Sequence, residues 1–190
     1  LLGVDPQEEW VYFLARKDTP RAVHAYRVKL AGGAIHRLTM RDGNHSVRFN
    51  DTFTHFVDFS SGVHRPIDVF LLAASGERIR SIAPNLTDHL EYYALREPET
   101  IRVPAGNQSL EAFLIKPPDF DPQKKYPVLC YVYSGPQTPV VRDRWAGSTY
   151  LWHQMLAQRG YCIWMCDNRS ASAKGVKHTW PIHRNLGERE

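Results

Sequence analysis

Tyr133 closes the apolar run YPVLCYVY, residues 126–133, and Ser134, Gly135 and Pro136 then turn the chain away. A tyrosine hydroxyl stays protonated at neutral pH and can donate a hydrogen bond. Held at the mouth of a sheet, it can donate to an oxygen on which negative charge develops in a tetrahedral transition state. Gly135 and Pro136 would fix the turn that aims it. On local features alone the same residues also describe a rim tyrosine with an apolar ring and a wet hydroxyl.

A second constellation is Cys162, Cys166, His178 and His183, spaced C-x3-C-x11-H-x4-H. It lies close to a zinc-finger pattern, and Lys174 and Lys177 would suit nucleic acid. A finger needs a turn between its cysteines, whereas Ile163, Trp164 and Met165 continue a strand here. Residues i and i+4 on a strand lie ~13 Å apart, too far to share one metal ion. DNRSASAKGVK also lacks the aromatic and leucine of a finger's small core. A zinc-binding nucleic-acid module is therefore the remote reading.

The elements around Tyr133 have the texture of an α/β domain. TIRVPAGNQSLEAFLIKPP reads as a hairpin turning through Gly106 and Asn107. VLCYVY is apolar on both faces, as a central parallel strand is. A helix is expected over about Ser148–Arg159, capped by Ser148 or Thr149, with Leu151, Trp152, Met155 and Leu156 as its apolar face. YCIWMC is a second doubly buried strand. Strand, helix and strand make a βαβ unit, and ligands of such sheets bind outside the carboxyl ends of the strands, here Tyr133 and Asp167. Tyr133 ends the third strand of this half, and in α/β-hydrolases the loop there supplies one oxyanion-hole donor.

Residues 1–96 read differently, as short strands rich in β-branched and aromatic residues with Gly or Asp turns between them. HAYRVKLAGGAIHR from His24 matches IDVFLLAASGERIR from Ile67 at an offset of 43 residues, which lays Gly33 on Gly76 and Arg37 on Arg80. The same offset lays Trp10 on Phe53 and Phe13 on Phe56. Such a period, with about four strands per unit, is that of β-propeller blades. An ordinary β-meander with one matching pair is the alternative.

Composition narrows the classes further. With 190 residues, 43% hydrophobic, the chain can bury a sizeable core. The net charge of +4 comes from 24 basic residues scattered among 20 acids, a mixed surface without a nucleic-acid stripe. No stretch reaches the ~20 apolar residues of a membrane span. Cys130, Cys162 and Cys166 sit in apolar runs and read as buried free thiols. Five of the six asparagines (Asn44, Asn50, Asn85, Asn107 and Asn168) lie in N-x-S/T sequons, which leans toward an extracytoplasmic setting.

The repeat, FDPQKKYPVLCYVYSGP, RWAGSTYLWHQMLAQRGY and CDNRSASAKG together resemble the dipeptidyl peptidase IV branch of the prolyl oligopeptidase family, over essentially the whole chain. The resemblance implies β-propeller blades over 1–96, followed by the N-terminal part of an α/β-hydrolase domain over 97–190. Members are serine peptidases that typically release N-terminal dipeptides ending in proline or alanine. It implies peptide substrates, no cofactor and a homodimeric full-length parent. Tyr133 matches the family's oxyanion tyrosine. Asp167 and Arg169 read as structural braces. The family's Asp-Gly-Arg-Gly turn is Asp-Asn-Arg-Ser here, so Asn168 and Ser170 stand where glycines would allow close backbone approach.

No G-x-S-x-G occurs, and in this fold the serine elbow, the acid and the histidine follow later strands. The resemblance therefore reads the chain as a piece of a longer enzyme that ends before its nucleophile. A non-enzymatic propeller scaffold, or a family member that has lost its serine, is the alternative.

Overall fold

The computed structural model describes residues 1–85, 88–133, 135–136, 138–171 and 173–188. Ser134 of the expected turn and Thr87 of the Asn85 sequon lie outside the described residues. The chain divides into two compact units, Leu1–Thr87 with Asp143–Trp145, and Asp88–Arg142 with Ala146–Glu190. Among the described residues no helix is long and apolar enough to cross a membrane.

The first unit holds two four-stranded antiparallel sheets. One is β1 (Gly3–Val4), β2 (Trp10–Ala15), β3 (His24–Lys29) and β4 (His36–Arg37). The other is β5 (Asn44–Phe49), β6 (His55–Gly62), β7 (Arg65–Ala73) and β8 (Arg78–Ala83). Shifted by the sequence offset, every strand of the first sheet overlaps its counterpart in the second. Gly33 and Gly76 both take left-handed backbone, φ 124° and 94°. Gly76 also approaches the other sheet so closely that a Cβ would meet the Leu38 carbonyl at 2.7 Å.

Tyr12, Ala25 and Leu38 meet Val47, Phe56, Phe70 and Leu72 in one core between these sheets. Side chains alternate along a strand. Phe13, stacked on Tyr26, is therefore on the face turned away from the second sheet, while its counterpart Phe56 faces the first. Both look the same way along the stack, as equivalent residues of a repeated layer must. The sheets are consistent with propeller blades.

Beside the apolar core runs a polar seam. His24 of β3 lies against His45 of β5, the rings tilted by 38° with centroids 4.8 Å apart, and His24 Nδ1 sits 3.1 Å from both oxygens of Thr39. His45 Nδ1 lies 2.8 Å from the Asp58 carboxylate and its Nε2 lies 2.8 Å from the Arg41 carbonyl, so both ring nitrogens face acceptors. Arg41 and Arg65 pair with Asp68 at the end of the seam.

Burial above all, and then the charges of Arg37 and His45, lower the His24 pKa to about 4. In the unfolded chain His24 takes a proton near its ordinary value of 6.5; folded, it resists until about pH 4. Stability therefore falls as pH drops through that window, by up to about 3 kcal/mol, and the loss levels off below it. In His24→Phe, which has no proton to take, this component of the pH slope should vanish. Melting midpoints of the two proteins between pH 7 and 4 measure it, and parallel curves would refute it.

The second unit has one mixed sheet in the order β11-β12-β10-β9. β9 (Glu99–Ala105) and β10 (Gln108–Ile115) form the expected hairpin through Gly106 and Asn107. β11 (Val128–Tyr131) runs parallel to β12 (Cys162–Cys166), with Val128 opposite Cys162 and Tyr131 opposite Met165. Helix α1 (Ser148–Gln158) lies between them in the chain, and a single helical turn, α2 (Val176–Thr179), follows β12.

Four expectations are corrected here. β11 is an edge strand among the described residues, with Val128 63% exposed, because only β12 pairs with it. Cys130 on that edge is accordingly exposed; Cys162 is buried, Cys166 partly so, and all three thiols are free. Gly147, at φ 57°, occupies the helix cap position, and neither Ser148 nor Thr149 makes a side-chain cap. The buried face of α1 is Tyr150, His153, Gln154 and Ala157, while Leu151, Trp152 and Met155 face outward. The reason is specific pairing. Gln154 Oε1 accepts from Arg96 N at 2.8 Å and Gln154 Nε2 donates to Arg96 O at 2.7 Å, while the His153 ring meets Tyr131 edge-on at 4.9 Å.

Candidate active site at the strand ends

Tyr133 lies two residues beyond the carboxyl end of β11 and is 60% exposed. The strand expected to end on this tyrosine stops at Tyr131, so the phenol stands on the first residues of the loop. Its ring folds back over Gly135, where a built Cβ would come within 2.5 Å of Tyr133 Cε1. The strand beneath is held by the Tyr131–His153 contact, and burial lowers the pKa of His153, which favours its neutral form.

Asp167 immediately follows β12 and is 6% exposed. Its carboxylate reaches the loop that follows β11, accepting from Val140 N at 2.6 Å and from Val141 N at 3.3 Å. Its own N–H donates to the Glu111 carbonyl at 2.9 Å. Burial raises the Asp167 pKa, and the two backbone N–H groups oppose that shift by favouring the anion. The carboxylate is thus a clamp between the end of β12 and the loop leaving β11.

Arg169 does a different job, donating from Nη2 to the Ala105 carbonyl at 3.3 Å and so tying its turn to the β9–β10 hairpin. Asn168 Oδ1 accepts from Ala171 N at 2.8 Å and from Ser170 Oγ at 3.1 Å. The side-chain bond holds the turn that glycines make elsewhere, and neither Asn168 nor Ser170 needs positive φ.

Pro136 lines a cavity of about 730 Å³ with Val176, Trp180, Ile182, His183 and Leu186. Among the described residues its lining is mostly apolar, so it can accept an apolar group.

The zinc reading is not carried by the structure. Cys162 and Cys166 mark the two ends of β12, and no turn separates them. His178 faces Gln108 Oε1 at 3.3 Å, and His183 stacks on Trp180. Among the described residues no group of three or more His, Cys, Asp or Glu side chains is placed to hold a metal ion.

Residues 1–67 match the family model described as the dipeptidyl peptidase IV (DPP IV) N-terminal region. Dipeptidyl peptidase 8 of Mus musculus is 29% identical over 100% of this chain, which covers 22% of that protein. Probable dipeptidyl-aminopeptidase B of Aspergillus clavatus is 31% identical over 97% of the chain and 21% of its own length. The crystal structure of Porphyromonas gingivalis dipeptidyl peptidase 4 superposes with a TM-score of 0.92 at 25% identity, covering 100% of this chain and 27% of the other. The chain spans about a fifth of the curated relatives it matches. Blade-like sheets leading into a mixed sheet, matched throughout by dipeptidyl peptidases, set the class as that of peptidase relatives. Together these likenesses support the dipeptidyl peptidase IV family for this chain.

Proposed function

We propose that this chain is part of a serine-type exopeptidase that releases N-terminal X-Pro or X-Ala dipeptides, and that the Tyr133 hydroxyl is one of its oxyanion donors. In this reading residues 1–96 are the C-terminal blades of a propeller and 97–190 begin an α/β-hydrolase domain, in a homodimeric parent. The observation that carries it is the placement of Tyr133: a solvent-facing phenol just past the carboxyl end of a parallel strand, its loop clamped by a buried carboxylate. Strand, helix and parallel strand in that order support the hydrolase assignment.

Oxyanion donors act on a charge that a nucleophile and base must first create. The 190-residue chain, without a G-x-S-x-G elbow, is therefore expected to leave a chromogenic Gly-Pro or Ala-Pro dipeptide substrate intact, whereas the full-length parent hydrolyses it. Turnover by the purified chain that persists when its serines are replaced would defeat the reading, as would an inactive full-length parent.

A further inference from the structure

The contact between Tyr133 and Gly135 carries an inference beyond the role of the tyrosine, although it rests on that role. At Gly135 a side chain would meet a neighbouring group. What excludes a side chain there is the Tyr133 ring: an added Cβ would lie 2.5 Å from Cε1, 3.2 Å from Cδ1 and 3.2 Å from Cζ. Beyond Gly135's own chain neighbours, the three atoms nearest to that Cβ all belong to this ring. Asp167 holds the far end of this stretch through Val140 and Val141, and β12 holds β11 at its near end. The ring, 60% exposed, is the part free to move.

We propose that Gly135 is a positioning residue for Tyr133: by lacking a Cβ it seats the phenol ring, and so sets where the hydroxyl points. Its glycine serves close approach. A methyl group at this position relieves its clash by swinging the ring, which displaces the hydroxyl by an ångström or more while leaving the strands, the clamp and the hairpin unchanged.

The test is a cycle in the full-length parent with Gly135→Ala, Tyr133→Phe and both together, assayed on an X-Pro dipeptide substrate. Misplacing a catalytic group by about 1 Å costs on the order of 10²-fold, so Gly135→Ala should lower kcat by about 10- to 100-fold with KM changed by less than about threefold. Added to Tyr133→Phe it should change kcat by less than about twofold, since no hydroxyl remains to misplace. Its melting midpoint should stay within about 2 °C of wild type. Wild-type kcat in Gly135→Ala, an equal loss in the Tyr133→Phe background, or a larger drop in melting midpoint would each overturn the proposal. A Tyr133→Phe variant with unchanged kcat would instead strike the oxyanion role itself, and the seating role with it.

Discussion

Tyr133→Phe in the full-length parent is expected to lower kcat by ~10²–10³, about 2.7–4 kcal/mol of transition-state stabilisation, with KM affected far less. The asymmetry follows from when the charge exists. A scissile carbonyl is nearly neutral in bound substrate and becomes an oxyanion only in the tetrahedral transition state, so the donor favours the latter. The substitution keeps the ring over Gly135 and removes one oxygen at an exposed site, so the fold is untouched. Steady-state kinetics on an X-Pro dipeptide substrate measure it. A kcat within about twofold of wild type would make Tyr133 a rim residue.

The second large effect concerns stability. Asp58→Ala removes the partner of a histidine whose side chain is 0% exposed, Asp58 itself being 4% exposed. Deleting one partner of a buried hydrogen bond leaves the other polar group unsatisfied, which costs about 1–3 kcal/mol. Replacing both members, as in His45→Leu with Asp58→Leu, leaves neither Nδ1 nor a carboxylate without its partner and should cost less than Asp58→Ala alone. Urea midpoints of the three proteins decide it. A loss below about 1 kcal/mol for Asp58→Ala, in the range of exposed pairs, would show that the pair contributes as little as a surface bridge.

Much of the blade architecture was legible because it repeats. Gly33 and Gly76 recur at one offset, and Phe13 and Phe56 prove to face the same way along the stack, since layers of one kind impose one pattern on each copy. The strand leading to Tyr133 was legible for a related reason, since a long apolar run ending at Ser-Gly-Pro marks a strand entering a turn, although the strand stops two residues earlier, at Tyr131. The face of α1 was misread, because hydrophobicity selects Leu151, Trp152 and Met155, while the docked side is chosen by Gln154 on Arg96 and His153 on Tyr131. Partners distant in sequence leave no mark on local periodicity. Cys130 was misread likewise, its exposure following from the edge position of β11.

Sequence alone determined the strand pattern, the repeat, the hairpin at Gly106–Asn107 and the apolar strand leading toward Tyr133, since periodicity and turn chemistry act within a few residues of one another. Only the tertiary structure decided which groups meet across the chain. It set Asp167 on Val140 and Val141, His45 between Asp58 and Arg41, and the Tyr133 ring on Gly135. The physical reason is that a hydrogen bond or ring contact depends on distance in space. Strand order brings residues 26 positions apart, such as Val141 and Asp167, within 3.3 Å, and no window along the sequence spans that separation.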